Sequence, residues 1–245
     1  NVQLQEELNL FTLNGGDRIG NVYERVEVQT YLDVHPPVVD FTSPDVITNT
    51  PQPTITASII DAGSGVNVGG GNNGRNGALR LFIDRNQING FEFNAETGVL
   101  TYQVDQDLND GSHVVAISSA DILGNSPQQP EMYTFFIDTH APLAAHRFLD
   151  DEVDEIGNSS PELTIGVFDI RPSSGLDSTS IILSIDGQVL EHEWNEVEKS
   201  IYYDFRIGAP LDLGLHELSL IIDDNAGNRF EASGEFTIAD IQDKE

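Results

Sequence analysis

The chain has 245 residues and no cysteine, and its 41 acids against 11 Lys+Arg give a formal net charge of −30. That balance opposes nucleic acid and anionic membranes, whose surfaces are themselves negative. The missing cysteines exclude disulfide scaffolds, thiolate metal sites and thiol catalysis. No apolar run approaches the ~18 residues of a membrane span, so direct membrane insertion is not expected. Only Lys199 and Lys244 are lysines. An Asp-rich, Lys-poor surface suits high salt, divalent cations or simple solubility.

Taken in chain order, short segments rich in Val, Ile, Leu and Phe predict strands at Thr54–Ile60, Leu79–Ile83, Val114–Ile117, Ile181–Ile185 and Leu218–Ile222. Turn residues bound each one. Asp186-Gly187 lies between Ile181–Ile185 and Val189–Trp194 and has the composition of a two-residue hairpin turn. Asp84-Arg85-Asn86 occupies the matching place earlier in the chain. No stretch sustains helical periodicity over three turns.

The organisation follows from a repeat. Asp-x-x-Gly-Asn occurs at Asp17–Asn21, Asp121–Asn125 and Asp224–Asn228. Leu4, Leu108 and Leu211 precede the three motifs by equal distances. Alternating runs lie between: Asn9–Leu13, His113–Ile117 and His216–Leu220. Downstream, Asp33, Asp138 and Asp240 follow at nearly constant spacing, the first two leading into prolines. The unit of about 104 residues holds about seven short strands with frequent turns, the pattern of an immunoglobulin-like sandwich. The expected fold is therefore all-β, with tandem immunoglobulin-like β-sandwiches in a rod-like array. The expected divisions are Asn1–His35, the last two strands of an incomplete repeat; Pro36–His140, domain 1; and Ala141–Glu245, domain 2. A two-stranded piece cannot bury a core alone. Either strands upstream of Asn1 or strands of another chain complete it.

The unit resembles the tandem bacterial Ig-like repeats of large surface proteins and adhesins. The residues that carry the resemblance are Asp61-Ala-Gly-Ser-Gly-Val66, its partner Asp169 through Ser174-Gly175-Leu176, the Asp-Gly hairpin, Asp-x-x-Gly-Asn, and Asp-x-x-x-Pro at the junction. The resemblance implies an extracellular, cell-surface location and a structural role: extending, projecting or assembling into a filament or surface layer rather than catalysing. The implied partners are neighbouring Ig-like domains or identical subunits, with a cell-surface or carbohydrate ligand as the alternative. A ligand-binding module, or an accessory domain of a secreted enzyme, is the second functional reading. Two lysines, one near the end, cannot supply the Lys–Asn isopeptide bond that some such modules carry.

Asp and Asn side chains with loop carbonyls are hard oxygen donors suited to Ca²⁺. Asp61 and Asp169 end the second strand of each full repeat, and each can share a cation with the junction acids Asp33 and Asp138. These four are the candidate metal residues. Asp-x-x-Gly-Asn itself is read first as a turn, with Asp accepting backbone N–H groups and Gly and Asn tolerating left-handed conformations. The acidic run Asp150–Glu155 lacks EF-hand spacing and reads as a solvated loop. The six histidines are mostly repeat partners and include no His-Glu-x-x-His. No Gly-x-Ser-x-Gly elbow occurs. The loop Gly69–Gly77 interrupts the repeat without a phosphate-loop signature and reads as a tolerated surface insertion, with a contact loop for a neighbouring subunit or a ligand as the alternative. Trp194, Tyr202 and Tyr203 read as alternating strand aromatics, with a sugar-stacking surface as the other possibility.

Overall fold

The computed structural model describes residues 2–22, 24–69, 78–149, 154–208 and 210–239. Among them are twenty strands. The first eleven are β1 (Glu7–Leu13), β2 (Val26–Leu32), β3 (Val38–Ser43), β4 (Ile47–Thr48), β5 (Thr54–Ile60), β6 (Arg80–Ile83), β7 (Asn86–Ile88), β8 (Glu92–Asn94), β9 (Val99–Gln103), β10 (Gly111–Ser118) and β11 (Glu131–Ile137). The remaining nine are β12 (Leu143–Ala145), β13 (Asp154–Ile156), β14 (Glu162–Phe168), β15 (Leu176–Ile185), β16 (Gln188–Val189), β17 (Glu193–Asn195), β18 (Ser200–Asp204), β19 (Gly214–Asp224) and β20 (Arg229–Ile238). A 3-10 turn, Arg147–Leu149, stands between β12 and β13.

The described chain divides into two compact units. The first comprises Asn1–Asp45, Pro53–Asp105 and His113–Thr134; the second comprises Val46–Gln52, Gln106–Ser112 and Phe135–Glu245.

In the first unit, β1 and β2 form an antiparallel ribbon, Glu7 opposite Leu32 and Leu13 opposite Val26. A four-stranded sheet has the order β3-β5-β9-β8. β6 pairs antiparallel with β7 on one side and β10 on the other, Ala116 facing Phe82. Alternation places Ile55, Ala57 and Ile59 of β5, Leu81 and Ile83 of β6, and Val115 and Ile117 of β10 in the interior.

The second unit contains a complete sandwich. One sheet runs β12-β14-β18-β17 and the other β13-β20-β19-β15-β16. β13 lies parallel to the end of β20, while the other neighbours are antiparallel. A four-stranded sheet facing a sheet whose edge strand splits from the first is immunoglobulin-like order. Its core is Leu163, Ile165 and Val167 of β14, Leu183 of β15, Ile201 of β18, Leu218, Leu220 and Ile222 of β19, and Phe236 and Ile238 of β20. Phe148 closes it, its ring stacked 4.4 Å from that of Phe236. The Phe148 carbonyl passes so close to Gly234 that a Cβ there would sit 2.2 Å from its oxygen. β4 likewise runs parallel to the end of β11, with Ile47 opposite Phe136.

Hairpin chemistry follows the residues. Asp186 and Gly187 have φ of 48° and 75°, the doubly left-handed two-residue turn. Asp84 and Arg85 take the same conformation at 49° and 68°, and Asn86 already belongs to β7. Both turn aspartates are clasped by the histidine that begins the next long strand. His113 Nδ1 lies 2.6 Å from Asp84 Oδ2, and His216 Nδ1 lies 2.6 Å from Asp186 Oδ2. The next backbone N–H, of Val114 or Glu217, donates to the other carboxylate oxygen.

Candidate metal centres

The three Asp-x-x-Gly-Asn motifs are the same turn. The Asp amide donates to the Asn carbonyl at 2.9 to 3.0 Å, and the Gly amide donates back to the Asp carbonyl. The carboxylate fills the loop. Asp121 Oδ1 accepts the Asn125 amide at 2.7 Å and Oδ2 accepts Asn125 Nδ2 at 2.6 Å. Asp224 Oδ1 accepts both Ala226 N and Asn228 N, at 2.9 and 2.8 Å. Gly20, Gly124 and Gly227 have φ of 94°, 96° and 85°, where a side chain would be strained. The turn reading of the motif is therefore met for its Asp and Gly, whereas Asn21, Asn125 and Asn228 do not take the left-handed conformation expected of them.

The motif also does more. Asn125 Nδ2 donates to the Asp33 carbonyl at 2.9 Å, and Asn228 Nδ2 to the Asp138 carbonyl at 2.8 Å. Each turn thus holds the linker that precedes its own repeat. The linker carboxylates are fixed in the same way twice. Asp33 accepts His35 N and Ser64 N at 3.0 and 2.7 Å. Asp138 accepts His140 N and Ser174 N at 3.2 and 2.6 Å.

Two carboxylate triplets result, Asp33 with Asp61 and Asp121, and Asp138 with Asp169 and Asp224; one oxygen from each member lies within 4.8 Å of the others. The four residues singled out by sequence thus sort into two pairs, each joined by a third acid. Asp121 and Asp138 are fully buried, Asp224 nearly so, and Asp33 is 8% exposed. The Ser64 and His35 amides hold the Asp33 carboxyl below its ordinary pKa. Burial, and then the neighbouring charge of Asp138, push Asp169 the other way.

The donor set can be tested against a cation. Asp61 Oδ1 receives Gly63 N and Gly65 N. Asp169 Oδ2 receives Gly175 N at 3.0 Å, and its Oδ1 is buried with no hydrogen-bond partner. A buried, orphaned carboxylate oxygen beside two other carboxylates lacks a positive charge or a proton. Two oxygens bound to one Ca²⁺ at ~2.4 Å lie no more than ~4.8 Å apart. Both triplets meet that limit with oxygen alone, so the residues present fit a hard cation. The group Asp110, Asp138 and His140 is different. Asp110 is already bonded to His140 Nδ1 at 2.5 Å and to the amide and hydroxyl of Thr139. It is a hydrogen-bonded knot.

Sequence reasoning read Asp121 and Asp224 first as turn residues, with Ca²⁺ ligation second, and left them out of the candidate metal set. A signal for the second duty was present: they continue the inward parity of their strands, after His113, Val115 and Ile117 and after His216, Leu218 and Leu220. At the last repeat, Asp240 lies outside the described residues. Ala239 follows Ile238 as Asp138 follows Ile137, and its amide donates to Ile156 O as that of Asp138 donates to Thr48 O. The register therefore sets an alanine where the earlier repeats have the linker acid. Residues 70–77 of the glycine-rich loop and 150–153 of the acidic run also lie outside the described residues. Trp194 and Tyr203 pack against the core of the second sandwich, whereas Tyr202 pairs across the strand with Glu193, so the aromatics alternate between faces.

No family model matches the chain, and no curated protein matches it. Solved structures similar to it include dimeric latent PorU from Porphyromonas gingivalis, at 16% identity and a TM-score of 0.33 over 98% of this chain and 24% of that one. A structure of a 1.5-MDa bacterial ice-binding adhesin matches at 13% identity and a TM-score of 0.35, over 96% of this chain and 76% of that one. A tetra-tandem repeat from the extending region of a large adhesion protein matches at 14% and 0.34, over 97% and 58%. The chain thus spans about a quarter of the first and under two thirds of the third.

Proposed function

We propose that this chain is an extension segment of an extracellular bacterial surface protein, in which successive Ig-like sandwiches, Pro36–His140 and Ala141–Glu245, follow one another through calcium-braced linkers. The carrying observation is that one carboxylate triplet is built twice from the same three parts: a linker acid, a strand-end acid and a turn acid. The linker acid supplies its backbone carbonyl to one loop and its carboxylate to another. A cation bound to all three carboxylates would tie the linker to both loops. Bound Ca²⁺ supplies charge that turns mutual repulsion into attraction, and the chain supplies only oriented oxygens. A module that duplicates its polar centre and builds it from carboxylates alone is suited to holding geometry, and we read it as non-catalytic.

The test compares thermal unfolding in CaCl₂ and in NaCl of equal ionic strength. Screening responds to ionic strength, whereas a site responds to the ion. Ca²⁺ that binds the folded state alone at a hundred times its Kd adds about 2.7 kcal/mol. The expected outcome is a higher Tm in CaCl₂ and its reversal by chelation. Identical curves in the two salts would remove the calcium linkers and leave a solvated acidic surface.

A further inference from the structure

We propose that the β1–β2 ribbon is the closing strand pair of a third sandwich, and that its apolar face docks a β-sheet of the same repeat type, carried ahead of β1 in the same polypeptide. The proposal rests on the tandem-repeat reading above.

The ribbon matches β19–β20 position by position. Asn9 faces Thr30 where His216 faces Phe236, and Glu7 faces Leu32 where Gly214 faces Ile238. Phe11 and Leu13 thus take the places of Leu218 and Leu220. In the second sandwich Leu218 and Leu220 are 1% and 0% exposed, covered by the β12-β14-β18-β17 sheet. On the same face of the ribbon, Leu13, Val26 and Val28 are 60%, 51% and 44% exposed. Leu8, Leu10 and Tyr31 on the other face are exposed as well, so it is the register match with β19–β20 that marks this as the core face, without its opposing sheet.

The turn of the ribbon gives a second, independent indication. Asp17 makes the full motif, accepting Ile19 N, Asn21 N and Asn21 Nδ2. Its counterparts Asp121 and Asp224 each meet a linker acid and a strand-end acid, whereas Asp17 belongs to no such group among the described residues and is exposed. The missing sheet therefore has a stated chemistry: strands with alternating Val, Ile or Leu, a strand-end Asp ahead of Ser-Gly, and a linker Asp.

Chain order and area both favour a sheet of the same polypeptide. In the second sandwich the covering strands β12, β14, β17 and β18 all precede β19 and β20. A second copy of this chain is a poor occupant. Each ribbon face measures about 23 by 10 Å, so a symmetric pair would bury roughly 500 Å², against the ~1,200 Å² of a stable interface. A sheet in the same polypeptide works at high effective concentration and needs no such area.

The experiment supplies the sheet from this chain's own sequence. Residues 138–210 are fused ahead of residues 4–245, which puts Leu4 in the place of Leu211 and carries Asp138 and Asp169 to meet Asp17. Amide exchange at Phe11, Leu13, Val26 and Val28 should slow by at least about 100-fold relative to the unfused chain. Calcium binding should rise by one equivalent, and Asp17→Asn should remove that equivalent. Leu13→Asp should abolish the new protection in the fusion and leave the melting of the unfused chain unchanged. Unchanged exchange across the ribbon in a fusion whose other strands remain protected would overturn the proposal. So would concentration-dependent dimerisation of the unfused chain that protects β1 and β2, which would assign the face to a second copy. The calcium response of the two existing triplets is measured on the unfused chain, so failure of the tandem-linker reading would be seen separately.

Discussion

Asp224→Asn separates the two duties of the motif acid. The substitution keeps a carbonyl oxygen where Oδ1 now accepts Ala226 N and Asn228 N, and it places an amide where Oδ2 accepts Asn228 Nδ2 at 2.7 Å. Losing that one bond costs about 1 kcal/mol. Removing a charge beside Asp138 and Asp169 offsets part of it. In chelator the variant should therefore stay within about 1 kcal/mol of the parent. With calcium the two should part. At a hundred times the parental Kd the parent gains about 2.7 kcal/mol, while a variant whose Kd is a hundredfold weaker gains RT ln 2, about 0.4 kcal/mol. The difference of about 2.3 kcal/mol corresponds to roughly 9 °C in the Tm of a domain this size. Asp224→Ala should lose all three bonds and cost about 2–4 kcal/mol in either buffer, because two turn amides lose their acceptor. Differential scanning calorimetry with and without calcium reads all of these values. An equal calcium gain in Asp224→Asn and the parent would show that Asp224 is no ligand. An alanine variant no weaker than the asparagine variant in chelator would refute the turn argument.

Other outcomes follow from particular residues. Both ring nitrogens of His216 face acceptors, Asp186 Oδ2 and the Asp212 carbonyl at 2.8 Å; burial opposes the charge, but these bonds raise the pKa above the ordinary histidine value. The clasp should then be at full strength below the unfolded pKa of ~6.5 and be lost as pH rises through the folded value, so His216→Gln should flatten that alkaline fall in urea midpoint. Leu220→Ala in the fully buried core should cost 2–5 kcal/mol by chemical denaturation, roughly. Leu13→Ala, at the same repeat position in the exposed ribbon, should change stability by less than about 0.5 kcal/mol. Arg85→Gly should raise the urea midpoint by roughly 0.5–1 kcal/mol equivalent, since Arg85 holds φ 68° where Gly187 stands in the matching turn.

The amino-acid sequence alone determined the period, the strand alternation and the turns. Those are local properties: a side chain's parity along a strand and a residue's tolerance of left-handed φ are decided within a few positions. Asp186-Gly187 reads as a hairpin for that reason, and so does the inward row of Leu218, Leu220 and Ile222. Even the pairing of Asp33 with Asp61, and of Asp138 with Asp169, was accessible, because a sandwich sets strand ends from distant sequence beside one another. Which further acid joins each pair was decided only by tertiary structure. Parity points Asp121 and Asp224 inward, but it does not say which loop of the other sheet comes to meet them. The same holds at the last repeat, where even spacing suggests Asp240 as the linker acid. Strand register places Ala239 there instead, because β20 begins at Arg229, directly after the motif, whereas β11 begins only at Glu131, well past Asn125, so the paired end is reached sooner. The orphaned oxygen of Asp169 is likewise a product of packing. Its loop is two residues longer than that of Asp61, 169–175 against 61–65, and Oδ1 lacks the pair of loop amides that Asp61 Oδ1 receives. That difference exists only once the loop has closed over the site.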